Sequence, residues 1–159
     1  MNDLWPELKS INIGCGENNP PEYVGVDIRP EVKPDVLCDA RILPFEDNRF
    51  EFLFSSHTLE HFSHLETANV LTEWFRILKP RGKFRFILPN LEVAYEYLKL
   101  DDWGSVLGIT YGGQDYKYNF HMTGFTPKRI RQILEKQGMK VDSIVTGGYD
   151  IIVEGNKPC

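Results

Sequence analysis

Two histidines and a glutamate fall within one short stretch, His57-Thr58-Leu59-Glu60-His61, inside FLFSSHTLEHF. With this H-x-x-E-H spacing on one helix, two imidazoles can ligate Zn²⁺ while the carboxylate draws a proton from bound water. The arrangement needs His57 and His61 a helical turn apart on the same face. Ser63 followed by Glu66 has the form of a capping box, which opens the next helix after His61. Residues 57–62 then read as a connection leaving a strand, at most a single turn. In that setting His57 is placed to take or hold a proton, and Glu60 orients the loop. No metal ligand set is assigned, and a zinc hydrolase stays as an alternative.

Other residues able to do chemistry also follow short apolar runs. Gly14-Cys15-Gly16 follows SINI, Asp27 and Ile28 close YVGVDI, Asp39-Ala40 follow DVLC, and Ser55-Ser56-His57 end RFEFLFSS. A carboxylate accepts only, so Asp27 could take both hydroxyls of a ribose at once. Asp39 could accept from the exocyclic amine of an adenine. Each residue also reads as an ordinary turn residue, and the ordered set says more than any one member. A dinucleotide fingerprint would need a third glycine at position 19 and an acid about 20 residues on. Position 19 is asparagine, followed by Pro20-Pro21, and Asp27 comes too early. This weakens a nicotinamide oxidoreductase and leaves room for a nucleoside ligand without a pyrophosphate.

The histidines His57, His61, His64 and His121, with Tyr111, are the candidate bases. His57 and His121 are favoured, the first for its strand end and the second for its segment. That segment, 90–124, carries Tyr95, Tyr97, Trp103, Tyr111, Tyr116, Tyr118 and Phe120, jointed by Gly104 and Gly112-Gly113. It reads either as a lid or acceptor-pocket insertion, or as large side chains completing a small core.

The elements that must position these residues are short β-branched and aromatic runs at 10–13, 23–28, 35–39, 49–56 and 83–88. A helix opening near Ser63 carries Ala68, Leu71, Phe75 and Leu78 at helical spacing and ends at Lys79-Pro80-Arg81-Gly82. A second helix has Thr126 as cap, Pro127 at its first position, Ile130, Ile133 and Leu134 as its face, and Gly138 at its close. VDSIV and YDIIVEG read as a closing hairpin around Gly147-Gly148. Strands with interposed helices predict an α/β fold whose ligands bind beyond the carboxyl ends of the strands.

A length of 159 residues predicts one domain over 1–159. The net charge of −5 argues against a phosphate-tracking partner, so no nucleic acid is expected. No apolar run spans a bilayer, and MNDLWPELKS lacks a leader pattern, so no membrane and a cytoplasmic location are expected. Cys15, Cys38 and Cys159 are odd in number and widely spaced, which suggests neither disulfides nor a zinc knuckle. Oligomeric state is left open.

INIGCG, GVDI, DARILPFEDNRFEFLFSSHTLEHF and LTEWFRILKPRGKFRFILPN together resemble the class I S-adenosylmethionine-dependent methyltransferases, notably the small type 11 branch. The resemblance covers residues 10–90 and, more loosely, extends to 155, where HMTGFTPKRIRQILEKQGMKV is similar to the family's last helix–strand unit. It implies a Rossmann-like three-layer sandwich on a mostly parallel seven-stranded sheet with a reversed final strand. It implies S-adenosyl-L-methionine as cofactor and a small-molecule or carbohydrate-like acceptor. By position, Gly14, Cys15 and Gly16 would pass beside the methionine part and Asp27 would bind the ribose. Ile28 would flank the adenine, Asp39 and Ala40 would lie at its edge, and Ser55, Ser56 and His57 would lie near the sulfonium. The chain departs from the family in its shortened first crossovers, in Glu51 where aspartate is usual, and in Arg81 where glycine is usual. A protein that keeps the fold and binds the nucleoside without turnover is the principal alternative.

Overall fold

In the computed structural model, residues 7–159 are described. Residues 1–6, which begin the MNDLWPELKS stretch, lie outside them. The central strand β1 (Ser10–Ile13) pairs in parallel with β2 (Tyr23–Asp27) and with β4 (Phe50–Ser56). β3 (Val36–Leu37) extends the β2 edge, and β5 (Leu78–Pro89) lies on the other side of β4. β7 (Asp150–Asn156) runs antiparallel between β5 and β6 (Lys140–Gly147). The order β3-β2-β1-β4-β5-β7-β6 is thus a seven-stranded, mostly parallel sheet with its last strand reversed.

The register explains the core. Ile11, Val24, Leu53 and Phe84 share one face, as do Ile13, Val26, Phe86 and Val153, and all are buried. Helices α1 (Thr67–Arg76) and α4 (Pro127–Lys136) bring Val70, Leu71, Trp74 and Phe75, and Ile130 and Leu134, into the same core. The two helices also touch each other, because Gln137 Nε2 donates to Ala68 O at 3.0 Å. Opposite, Tyr23 meets Phe52 and Phe54 at 6.2 Å ring separations. The shortened crossovers are present. Among the described residues only a 3₁₀ turn, Pro30–Val32, stands between β2 and β3.

Three local expectations are corrected. The Ser63–Glu66 pair forms, with Ser63 N and Oγ donating to Glu66 Oε2 at 3.2 and 2.8 Å, but regular helix starts only at Thr67. Its buried stripe is 67, 70, 71, 74 and 75, leaving Ala68 exposed. Leu78 does not belong to that helix. It already pairs with Phe50, and Lys79-Pro80-Arg81-Gly82 is an irregular start to β5. Arg81 there has φ 64, the left-handed conformation that glycine adopts most cheaply. Finally, the segment 90–124 contains two helices, α2 (Leu91–Lys99) and α3 (Trp103–Tyr111). Asn90 and Asp102 cap them, accepting from Glu92 N and Ser105 N at 3.1 Å each.

Candidate active site

The carboxyl ends of β1 to β4 enclose a cavity of about 310 Å³. Gly14, Asp27, Ile28, Asp39 and Ala40 line it, and so does His61. The turn after β1 is drawn over β2 because Gly14 N and Cys15 N both donate to Val26 O, at 2.8 and 3.0 Å. Gly14 has φ 72, and a Cβ there would collide with the Thr58 side chain. This turn therefore needs glycine for both conformation and space.

Asp27 is buried, and donors hold both of its oxygens. Gly16 N donates to Oδ2 at 2.9 Å, and Arg29 N and Nε donate to Oδ1 at 2.9 and 3.2 Å. Burial works to raise its pKa, but the hydrogen bonds and charge of Arg29 and the bond from Gly16 outweigh it, so the carboxyl titrates below its ordinary range. Asp39 is clamped by Arg41 through Nε at 3.0 Å and Nη2 at 2.7 Å, which likewise lowers its pKa. Arg41 also reaches Glu66 at 3.0 Å. Ala40 O accepts from Trp74 Nε1 at 2.9 Å, which fixes the wall of the cavity to α1. Ile28 is partly exposed and offers an apolar surface.

Cys15 and Gly16 face a second cleft of about 410 Å³ on the far side of the turn, beside Asn19 and Asp35. Burial first, then the charges of Asp27 and Asp35, push the Cys15 thiol up to about 11. Ser55 points into the sheet, with its hydroxyl donating to Ile13 O at 2.8 Å. Ser56 offers its carbonyl to Thr58 Oγ1 at 3.0 Å.

His57 sits at φ 49 just past β4, outside any helix, and residues Leu59–His61 form one 3₁₀ turn. The two-histidine helical face of the H-x-x-E-H string is therefore not formed. His57 instead lies between two carboxylates, with Nδ1 3.4 Å from Glu60 Oε1 and Nε2 3.3 Å from Asp150 Oδ1. The Glu60 contact, against the opposing effect of burial, raises its pKa. His121 arrives from the far segment with Nε2 3.9 Å from the same Glu60 oxygen. The two favoured histidines thus meet across Glu60, whose importance the spacing alone did not reveal.

The 90–124 segment is stitched to this turn. Met122 N and Thr123 N donate to Glu60 O at 2.8 and 3.2 Å, and Phe120 O lies 3.0 Å from His61 Nδ1. Tyr118, Phe120 and Met122 line the cavity. Tyr95, Trp103, Tyr111, Tyr116, Tyr118 and Phe120 are all substantially exposed, so these rings do not complete the core. Tyr116 lies 5.0 Å from the Arg29 guanidinium, which links the segment to Asp27.

Residues 11–86 match the family described as a methyltransferase domain. Over this stretch the chain is similar to the class I, type 11-like methyltransferases. The ubiquinone/menaquinone biosynthesis C-methyltransferase UbiE of Cupriavidus taiwanensis is 39% identical over 120 residues, covering 69% of this chain and 47% of that protein. The chain therefore spans about half the length of that curated relative. A SAM-dependent methyltransferase of Methanosarcina mazei superposes with TM-score 0.68 at 18% identity, over 94% of this chain and 92% of that one. A Burkholderia thailandensis 1,6-didemethyltoxoflavin-N1-methyltransferase with bound S-adenosylhomocysteine gives TM-score 0.64 at 11% identity, over 94% and 71%. At these identities the two structures bear on the fold alone. No helix among the described residues is long and apolar enough to cross a membrane.

Proposed function

We propose that this methyltransferase domain transfers the methyl group of S-adenosylmethionine to a small-molecule acceptor held under the 90–124 segment. The observation carrying this reading is the single cavity that joins Gly14, Asp27, Ile28, Asp39 and Ala40 at consecutive strand ends. When bound, the cofactor supplies a methyl group made electrophilic by a sulfonium. The protein's share is placement and exclusion of water. Gly14 lets the backbone approach, because any side chain there would strike Thr58. Asp27 accepts from the ribose hydroxyls, exchanging part of its bonding to Arg29. Ile28 and Ala40 flank the adenine, with Asp39 at its edge. Gly16 holds Asp27 through its N–H, and Cys15 stiffens the turn from its buried side. Ser55 and Ser56 act through the backbone at the end of β4.

For an acceptor that must lose a proton, the candidate bases are His57 and His121, which meet across Glu60 next to the cavity-lining His61. Tyr118, Phe120 and Met122 suit an aromatic or hydroxylated ring. The name of the Cupriavidus relative favours a quinone-like ring over a carbohydrate. The experiment is a thermal-shift panel with S-adenosylhomocysteine, NAD and zinc, followed by calorimetry with the ligand that stabilises most. Stabilisation by S-adenosylhomocysteine supports the reading, and none in folded protein rejects it. A second reading, binding without turnover, draws on the way Arg29 covers Asp27. Methylation of any supplied acceptor, lost in Asp27→Ala, removes it.

A further inference from the structure

We propose that Glu60, His61 and His121 form a binding site for one divalent first-row transition-metal ion. One ligand atom from each lies within 4.8 Å of the others. The argument rests on what each side chain lacks. Glu60 is fully buried, and neither carboxylate oxygen accepts a hydrogen bond. Among the described residues no lysine or arginine pairs with it. Its nearest cationic candidates are the His57 and His121 nitrogens, at 3.4 and 3.9 Å. An ionised carboxylate so buried is costly without a counter-charge.

His121 is set to provide a lone pair rather than a proton. His121 Nδ1 lies 2.9 Å from Ile109 O. A carbonyl only accepts, so in the neutral ring the proton sits on Nδ1 and the Nε2 lone pair faces the Glu60 carboxylate. Lone pair against carboxylate is repulsive, and a cation between them reverses the sign. A ring nitrogen anchored to a carbonyl while the other faces a carboxylate is the arrangement that orients a metal-bound histidine. His61 has Nδ1 3.0 Å from Phe120 O and Nε2 3.1 Å from His57 O. A neutral ring can donate to only one of these, and the other nitrogen must turn from its carbonyl to ligate an ion. The two rings lie edge to face, 5.2 Å apart.

Two imidazoles and one carboxylate suit zinc or a similar first-row ion better than magnesium. Three protein ligands leave a position for water or a substrate oxygen. His61 also lines the cofactor cavity, so an ion here would be within reach of an oxygen-bearing acceptor. That consequence rests on the proposed function, whereas binding of the ion does not. With the ion in place, His121 is a ligand, and any proton leaving the acceptor passes to His57 or to water.

The test uses the whole chain, purified without a histidine tag and stripped with a chelator. Zinc and cobalt(II) are titrated separately by calorimetry, the cobalt also by its visible absorption, and magnesium serves as a comparison. The expected result is one zinc per chain and ligand-field bands from cobalt. Both responses should weaken by at least about tenfold in Glu60→Gln and in His121→Asn. Far-UV circular dichroism and S-adenosylhomocysteine binding report whether each variant is folded, and His121→Asn carries the test if Glu60→Gln does not fold. Failure of S-adenosylhomocysteine to bind the wild type would count against the proposed function and leave the metal result standing. Absence of stoichiometric zinc in the wild type, or zinc binding undiminished in the folded variant, overturns the site. Glu60 would then serve only as counter-charge to protonated histidines.

Discussion

Asp27 and Glu60 are both buried carboxylates at the carboxyl edge of the same sheet, 6% and 0% exposed, yet their surroundings are opposite. Asp27 accepts from Gly16 N, Arg29 N and Arg29 Nε, so its charge is balanced within its own turn. Glu60 accepts from no donor and faces two imidazole nitrogens too distant for a good hydrogen bond. The first site is organised before any ligand arrives, and under the proposed function a ribose need only exchange with Arg29. The second is incomplete as it stands, and its chemistry implies something further to bind. On the proposed readings, one edge of the sheet carries a preformed nucleoside site beside a cation site, with the 90–124 segment touching both.

The comparison breaks most severely at Asp27. Asp27→Ala leaves Arg29 without its carboxylate and Gly16 N–H without its acceptor, and should cost about 3–5 kcal/mol in urea unfolding. Gly14→Ala should follow at about 2–3 kcal/mol, because it combines a left-handed backbone with a collision against Thr58. Glu60→Gln in metal-free protein, compared at a pH where His57 is neutral, should lie within about 1 kcal/mol of wild type, since neither Glu60 oxygen accepts a hydrogen bond. A large loss there would mean that Glu60 is already well paired.

The pH dependence sharpens the same contrast. The pKa of Asp27 is lowered in the folded state, so its contribution is fully present above its unfolded value of about 4. It is lost as the pH falls through the lower folded value. Asp27→Asn should therefore flatten the acid limb of a melting-temperature profile below about pH 4. The smallest effect concerns the thiols. Burial pushes Cys15 and Cys38 up to about 11. Near pH 8 the exposed Cys159 should be alkylated well before them, as read by mass spectrometry.

The sequence was most legible where period and position coincide. The runs at 10–13, 23–28, 49–56 and 83–88 contain or overlap β1, β2, β4 and β5, and Thr126, Pro127 and Gly138 bound α4 as expected. Local chemistry misled where two signals compete. The Ser63–Glu66 pair is real but sits one turn before the helix, and Lys79-Pro80-Arg81-Gly82 resembles a helix end because an irregular strand start also needs a left-handed residue. α2 and α3 were missed because each buries a single apolar side chain, Ala94 and Ile109, and gives no buried stripe. The Glu60, His61 and His121 cluster could not be read from spacing, since His121 comes from a distant segment that only the fold brings to β4. H-x-x-E-H named two members of that cluster and missed the third.

The most direct test of the account is calorimetric titration of S-adenosylhomocysteine into the wild type and into a folded Asp27 variant. One site per chain in the wild type, weakened by about a hundredfold or more in Asp27→Asn, is the predicted result, because the ribose hydroxyls lose a charged acceptor. No binding to folded wild type, or equal binding to both proteins, would contradict it.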